Sequence, residues 1–424
     1  MSAGLLAHAR ALDAADPIAA LRAQFLLPTG TRGETLTYLC GHSLGLQPQA
    51  ARRYVEEELD DWARLAVEGH HRSRRPWIDY ADLLQEGLAQ LAGAQPAEVV
   101  GMNSLTVNLH LMMASFYRPA GRRIAVVVEA GAFSSDRHAV VSQIQWHGLD
   151  PAQALIEIAP PPGQDLVGAS QLEELLAARG DEVALVLWPG VQYRTGQAFD
   201  LARVADAARR AGAACGFDLA HSIGNTPLAL HDSGADFAVW CGYKYLNGGP
   251  GALAGAFVHA RHARSSLPRL AGWWGHDPAS RFRMEPGFDA APGAAGWQLS
   301  NPPILSTAPL LASLALFDAA GQAALQAKSR ALTAFLEAGL RARLARDIDI
   351  VTPTAAAARG CQLSLRIRAG RDRGLAVHAG LAARGIVTDW REPDILRVAT
   401  VPLYNRFEDA ARLVTGLAEI LELP

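Results

Sequence analysis

Gly216-Phe-Asp-Leu-Ala-His221 and, a short way downstream, Trp240-Cys-Gly-Tyr-Lys-Tyr-Leu-Asn247 decide how this chain is read. Asp218 stands just past the apolar run 213–217, and Lys244 just past the apolar run 237–241. An Asp and a Lys so placed, about two dozen residues apart, suit pyridoxal phosphate (PLP). The Lys amine condenses with the cofactor aldehyde, and the Asp carboxylate holds a proton on the pyridine nitrogen so that the ring accepts electrons. Either residue alone has a plainer reading. Asp218 also suits a helix N-cap, and a lone Lys also suits a snorkelling surface cation. Lys244 lies between Tyr243 and Tyr245, an apolar setting for a surface charge, and favours the catalytic reading of the pair.

Working outward, further apolar runs at 124–128, 183–188 and 253–258 read as buried strands. Helical patterns at 105–117, 134–147, 170–178 and 201–211 separate them. Short apolar strands alternating with helices predict an α/β chain whose mainly parallel sheet is covered on both faces. Residues 253–258 follow the turn Gly248-Gly-Pro-Gly251 and suit an antiparallel addition. That turn is no dinucleotide fingerprint, because its spacing is wrong and it does not open a helix after a first strand. Beyond residue 300 the texture changes to a long Ala/Leu-rich helical stretch at 307–344, strands at 362–367 and 395–398, and a last helix at 407–420. This predicts a large domain at 51–300 and a smaller α+β domain at 301–424. The segment 1–50 is expected to pack on the small domain or a partner. Residues 264–303, rich in Gly, Pro and Trp without period, read as a functional or interfacial segment.

The chain has 424 residues, half of them hydrophobic and 19% charged, with a formal net charge of -3. Such a chain buries a large core and gives no reason to expect nucleic acid or an anionic membrane as partner. The four cysteines, at 40, 215, 241 and 361, have neither metal spacing nor disulfide density, so no metal is expected and a reducing, cytoplasmic setting fits.

Several more residues qualify for the cofactor site. Leu105 and Thr106 open a helix whose backbone amides and hydroxyl suit a phosphate, or a plain cap. Phe133, in Gly131-Ala-Phe-Ser-Ser-Asp136, follows a strand and can stack on a ring. His221 stands one turn from Asp218. Arg397, on a strand of the smaller domain, can clamp a carboxylate through a bidentate pair or serve a structural ion pair.

With these residues in hand, the chain resembles the kynureninase family over roughly residues 36–410. The resemblance is carried by Tyr38-Leu-Cys-Gly-His-Ser-Leu-Gly-Leu-Gln-Pro48, Met102-Asn-Ser-Leu-Thr-Val-Asn-Leu-His110, Pro189-Gly-Val-Gln-Tyr193, Gly272-Trp-Trp-Gly-His276, Ser300-Asn-Pro-Pro-Ile-Leu305 and the stretches 133–145, 216–255 and 396–405. It implies the fold-type I PLP architecture, with a seven-stranded type of sheet, in a homodimer with active sites near the subunit boundary. It implies Lys244 as Schiff-base lysine and Asp218 as pyridinium partner. Around the cofactor it implies Leu105, Thr106, Phe133, Ser134, Ser135, Asp136, His221, Tyr243, Trp273 and Asn301, with Trp273 and Asn301 from the phosphate side and the partner subunit. Tyr243 is either an acid–base partner or a phosphate contact. Arg397 matches the substrate-carboxylate arginine, and Ser43, His70 and Asn301 match substrate-contacting positions. The implied activity is hydrolysis of L-kynurenine, or its 3-hydroxy form, to the anthranilate and L-alanine, in tryptophan catabolism and toward NAD biosynthesis. Three departures stand out. Ser134 replaces a frequent Pro, Pro189 replaces a frequent hydroxyl residue, and His42 replaces a frequent Asn.

Other fold-type I reactions, cysteine desulfuration or amino transfer, remain as alternatives. A desulfurase needs a reactive Cys on a mobile loop, which none of the four cysteines suits. A dinucleotide oxidoreductase leaves the Asp218/Lys244 pair unexplained, and a catalytically silent binder leaves Lys244 unexplained.

Overall fold

In a computed structural model, which describes residues 2–422, the apolar runs become the centre of a seven-stranded sheet. Its strands are β1 (Val99–Gly101), β2 (Ala125–Glu129), β3 (Leu155–Ile158), β4 (Val183–Pro189), β5 (Ala214–Asp218), β6 (Phe237–Trp240) and β7 (Gly255–Val258), in the spatial order β1-β7-β6-β5-β4-β2-β3. The neighbours from β6 to β3 are parallel, whereas β7 runs antiparallel to both β6 and β1. Strands β2, β6 and β7 are buried along their whole length, as a sheet clad on both faces requires. One face holds Val127, Val186, Trp188, Phe217, Ala238 and Phe257, and the other holds Val126, Val128, Leu185, Leu187, Phe237 and Val239.

Local chemistry sets the helix ends. The helix Leu201–Arg210 starts where the Asp200 carboxylate accepts from Arg203 N, and it ends with Arg209 and Arg210 against its negative pole. Its Val204, Ala205, Ala207 and Ala208 are buried against the sheet. The long apolar stretch expected at 307–344 is two helices, α1 (Ile304–Ala320) and α2 (Gln322–Leu344), bent by 84°. Gly321 takes φ 72, a conformation open to glycine and costly for other residues, so the helical pattern continues while the helix does not. Among the described residues no single helix is long and apolar enough to cross a membrane.

Helix α1 packs Leu310, Leu314 and Phe317 into the core of the large sheet. After α2 a four-stranded antiparallel sheet forms from β8 (Ile348–Ile350), β9 (Gln362–Ile367), β10 (Asp389–Arg391) and β11 (Ile395–Ala399), in the order β8-β9-β11-β10. The two-residue period sends Leu363, Leu365, Leu396 and Val398 toward α2 and the last helix, α3 (Phe407–Leu421), where they meet Leu336, Leu340, Leu413 and Leu417. It sends Ser364 and Arg397, paired across β9 and β11, to the opposite face. That face lies on the loop after β4, where Ser364 Oγ donates to Arg194 O at 2.6 Å and Gln362 Nε2 to Tyr193 O at 3.0 Å.

The N-terminal segment ties the parts together. Ala9 clusters with Leu332, Phe407 and Ala411. The Asp13 carboxylate accepts from the first two amides of α3, Phe407 N at 2.7 Å and Glu408 N at 3.0 Å. Thr37–Tyr38 pairs in parallel with Ile386–Val387 beside the smaller sheet.

Candidate active site

The parallel strands β2, β4, β5 and β6 all end at the same edge of the sheet, and the loops leaving their carboxyl ends enclose one cavity, as open α/β sheets commonly do. The cavity measures about 720 Å³ out to its solvent-filled mouth. Leu105, Thr106, Phe133, Ser135, Asp136, Asp218, His221, Tyr243 and Lys244, all singled out by sequence, line it together.

Asp218 is the last residue of β5, and its Oδ1 accepts from Ala220 N at 2.6 Å, which fixes the carboxylate at the strand end. Lys244 sits in the loop after β6 with Nζ 3.0 Å from His221 Nε2. Burial, reinforced by Lys244, drives the His221 pKa far below the usual histidine range, so the ring is neutral. Its Nε2 therefore accepts from the Lys244 ammonium, and its Nδ1 carries the hydrogen. The Lys244 ammonium also lies 5.8 Å from the Phe133 ring centre and 6.0 Å from that of Tyr243. Phe133 meets Tyr193 edge-on at 5.3 Å, so two aromatic rings wall this end of the cavity.

Asp136 is buried in hydrogen-bond contact with Asp218, and burial together with that neighbouring carboxylate pushes its pKa well up. At the other end, the Thr106 and Ser135 hydroxyls lie 2.7 Å apart where the helices Leu105–Phe116 and Ser134–Trp146 begin, and helix starts favour anions.

The loop bearing Lys244 is held from outside by the motif Gly41-His-Ser-Leu-Gly45. Gly45 N donates to Tyr243 O at 2.9 Å, and a Cβ on Gly45 would stand 2.3 Å from Lys244 O, so only glycine allows this approach. His42 is thereby carried behind His221, their ring centres 6.4 Å apart, while Ser43 does not line the cavity.

Arg397 lies behind Tyr193 and is 1% exposed. Its Nη1 donates to Tyr193 O at 2.8 Å, and its Nη2 donates to Asp389, the residue directly opposite on β10. Its Nε has no partner. Burial would raise the Asp389 pKa, but the neighbouring His42 ring and the Arg397 charge outweigh it and hold the carboxyl well below its ordinary range.

The remaining expected residues stand apart from the cavity. Ser134 is exposed at the helix start. Trp273, 45% exposed, donates from Nε1 to Arg281 O, and Asn301 is exposed. His70 packs edge-on against Trp77 at 5.6 Å. Conversely, Glu129, Gln192 and Tyr193 line the cavity without having been assigned a role by sequence. Glu129 ends β2, and burial raises its pKa to about 8, so it is mostly protonated at neutral pH. Its place at the end of the run 124–128 was the available signal. Pro189 also lines the cavity, where a hydroxyl residue would have offered a hydrogen bond.

The donors fit PLP. An amine, a carboxyl pair and a hydroxyl pair at helix starts surround one cavity, and Asp136 Oδ1 and His221 Nδ1 are buried there without partners. The fold and cavity together define a fold-type I PLP-dependent enzyme. Solved structures of that architecture superpose closely. A mutant of C-DES with glycine linked covalently to its PLP cofactor matches with a TM-score of 0.76 at 18% identity, covering 94% of this chain and 99% of that one. The cysteine desulfurase CsdA of Escherichia coli matches with a TM-score of 0.75 at 20% identity, covering 96% and 98%. In sequence, residues 325–417 match the kynureninase C-terminal domain. A kynureninase of Xanthomonas euvesicatoria pv. vesicatoria is 60% identical over 403 residues, 95% of each chain. One from Xanthomonas campestris pv. campestris is 59% identical over 407 residues, 96% of each. The chain belongs to the kynureninase family.

Proposed function

We propose that the protein hydrolyses L-kynurenine, or its 3-hydroxy form, to anthranilate or 3-hydroxyanthranilate and L-alanine by breaking the Cβ–Cγ bond. One observation carries the reading. Lys244, Asp218 and His221 share a cavity in a chain 60% identical, over 95% of its length, to a protein named kynureninase.

When bound, PLP supplies an aldehyde for the substrate amine and a ring that takes up electron density from Cα. Lys244 anchors the cofactor and then carries the Cα proton, with His221 Nε2 as its acceptor neighbour. Asp218, backed by Asp136, keeps the proton on the ring nitrogen. Thr106, Ser135 and the amides at Leu105 and Thr106 bind phosphate, and Phe133 covers the ring. Tyr243 either contacts phosphate or moves a proton at the γ-carbonyl. Arg397 fixes the substrate carboxylate, and Ser43 and His70 contact the substrate.

The reading includes a cytoplasmic homodimer acting in tryptophan catabolism and toward NAD biosynthesis. It also includes the division into segment 1–50, large domain 51–300 and small domain 301–424. An exposed groove lined by Leu26, Leu44, Val55, Leu59, Pro250 and Pro309 supports a second copy as partner. The exposure of Trp273 and Asn301, away from their own cavity, supports their serving the partner's site.

Cysteine desulfuration, the reaction of several proteins of like fold, is disfavoured here. Cys215, Cys241 and Cys361 are buried with raised pKa values, and burial raises that of Cys40 to about 12. A thiol held protonated is a poor nucleophile. The test incubates PLP-loaded protein with each kynurenine and follows anthranilate fluorescence. Product is expected from at least one, and none from either refutes the reaction.

A further inference from the structure

His42 is fully buried, and neither ring nitrogen makes a hydrogen bond among the described residues. Its Nε2 lies 3.4 Å from Asp389 Oδ2, a long contact to the same carboxylate oxygen that Arg397 grips. Burial, with the nearby Arg397 charge, lowers the His42 pKa to about 3, so the ring is neutral. A neutral ring beside a carboxylate carries its hydrogen on the near nitrogen, here Nε2. Its Nδ1 is left as a bare, buried acceptor. His221 has the complementary need, a buried Nδ1–H with no acceptor, because its Nε2 faces Lys244. The two ring centres are 6.4 Å apart. At that separation no nitrogen of one ring can hydrogen-bond the other directly, whereas one polar atom between the rings can serve both.

We propose that His42 is a positioning residue for the reaction, joining Asp389 and Arg397 at the carboxylate end to His221 and Lys244 at the reacting end through one buried polar atom. In the resting protein that atom is a water oxygen, accepting from His221 Nδ1 and donating to His42 Nδ1. The link holds His221 in the tautomer that accepts from the Lys244 nitrogen. It also holds Asp389 against Arg397, so the guanidinium meets the substrate carboxylate already oriented.

Of the charged groups acting on His42, Arg397 and Lys244 oppose a charge on its ring, and Asp389 favours one. Cys40 completes a trio of potential metal ligands with His42 and Asp389. Two guanidiniums already compensate Asp389, however, and they repel a cation. The inference rests on the roles given above to Lys244 and Arg397.

The test compares His42→Leu with His42→Asn in PLP-loaded protein, using two readouts. The first is the pH midpoint of the visible absorbance of the Lys244-bound cofactor, measured without substrate. It stands whichever kynurenine is turned over, so its failure is distinct from failure of the proposed reaction. Leu removes the link and loosens the acceptor beside the Lys244 nitrogen. The midpoint is expected to fall by about half a unit or more. The second readout is kinetic. KM is expected to rise about tenfold in the Leu variant, with a smaller change in kcat. Asn keeps one donor and one acceptor and is expected to stay within about threefold of wild type in KM with an unchanged midpoint. Where the Leu variant fails to load cofactor, His42→Ala replaces it with the same expected shifts. A Leu or Ala variant that titrates and binds like wild type overturns the proposal. So does equal impairment of the Asn and Leu variants, which would mark packing alone.

Discussion

Replacing Arg397 by Lys keeps the positive charge and removes the fork, so it isolates what the guanidinium does by shape. Arg397 donates from Nη1 to Tyr193 O at 2.8 Å and from Nη2 to Asp389, leaving Nε and the outer hydrogens for a substrate carboxylate. A lysine ends in one nitrogen. Held by Asp389, it reaches Tyr193 O or the substrate, not both with good geometry. One charge-assisted hydrogen bond to the substrate is thereby lost, worth about 1.5–3 kcal/mol. At 1.4 kcal/mol for each tenfold, KM should rise roughly 10- to 100-fold. The contact exists before and during the reaction, so kcat should fall much less than KM rises. Steady-state fluorescence assays with L-kynurenine measure both. An analogue lacking the carboxylate provides the control, and it should inhibit the two proteins within about twofold of each other. A Lys variant with native melting behaviour and an unchanged KM would refute the assignment of Arg397, as would a variant equally weakened toward the analogue.

Lys244→Ala should retain the fold and lose turnover by several orders of magnitude, and borohydride should no longer label position 244. Near-normal turnover would exclude the covalent role. Asp389→Asn tests the pH linkage. The folded-state pKa of Asp389 is depressed, so its contribution is present above the unfolded carboxylate pKa of about 3.9 and fades as pH falls below that value. The variant should be about 3 kcal/mol less stable near pH 7. Its melting temperature should converge on that of wild type below about pH 4, and a gap that does not narrow there would contradict the linkage. Gly360→Ala would set a Cβ 2.4 Å from the Asn225 side chain, which accepts from Cys361 N and donates to His221 O. A loss of about 1–3 kcal/mol in urea unfolding is expected, together with reduced turnover.

Strands such as Ala125–Glu129 and Phe237–Trp240 could be read from sequence because continuous apolar runs have few other uses. Val99–Gly101 escaped because three residues make no pattern, and Leu155–Ile158 because Glu157 interrupts its run. The bend at Gly321 was hidden within an Ala/Leu texture that suits a helix on either side. At the site, Asp218 and Lys244 were legible because cofactor chemistry requires both residue types past strand ends. The Asp136–Asp218 contact, the Asp389–Arg397 pair and the neutrality of His42 were not. Each depends on burial and on neighbours brought together by the fold. Position 42 drew notice only as a departure from a resembling pattern, and nothing local in the sequence says that its ring is buried.

Arg397 rides on the smaller sheet, yet the carbonyl it grips, Tyr193 O, belongs to a loop of the larger one. On the roles proposed for Arg397 and Lys244, the group that selects an amino acid is mounted on a different body from the group that reacts with it. A tilt of a few degrees between the two would blunt recognition while leaving Lys244 undisturbed. Selectivity in this protein can therefore be retuned from the seam between the sheets, at positions that never meet the substrate.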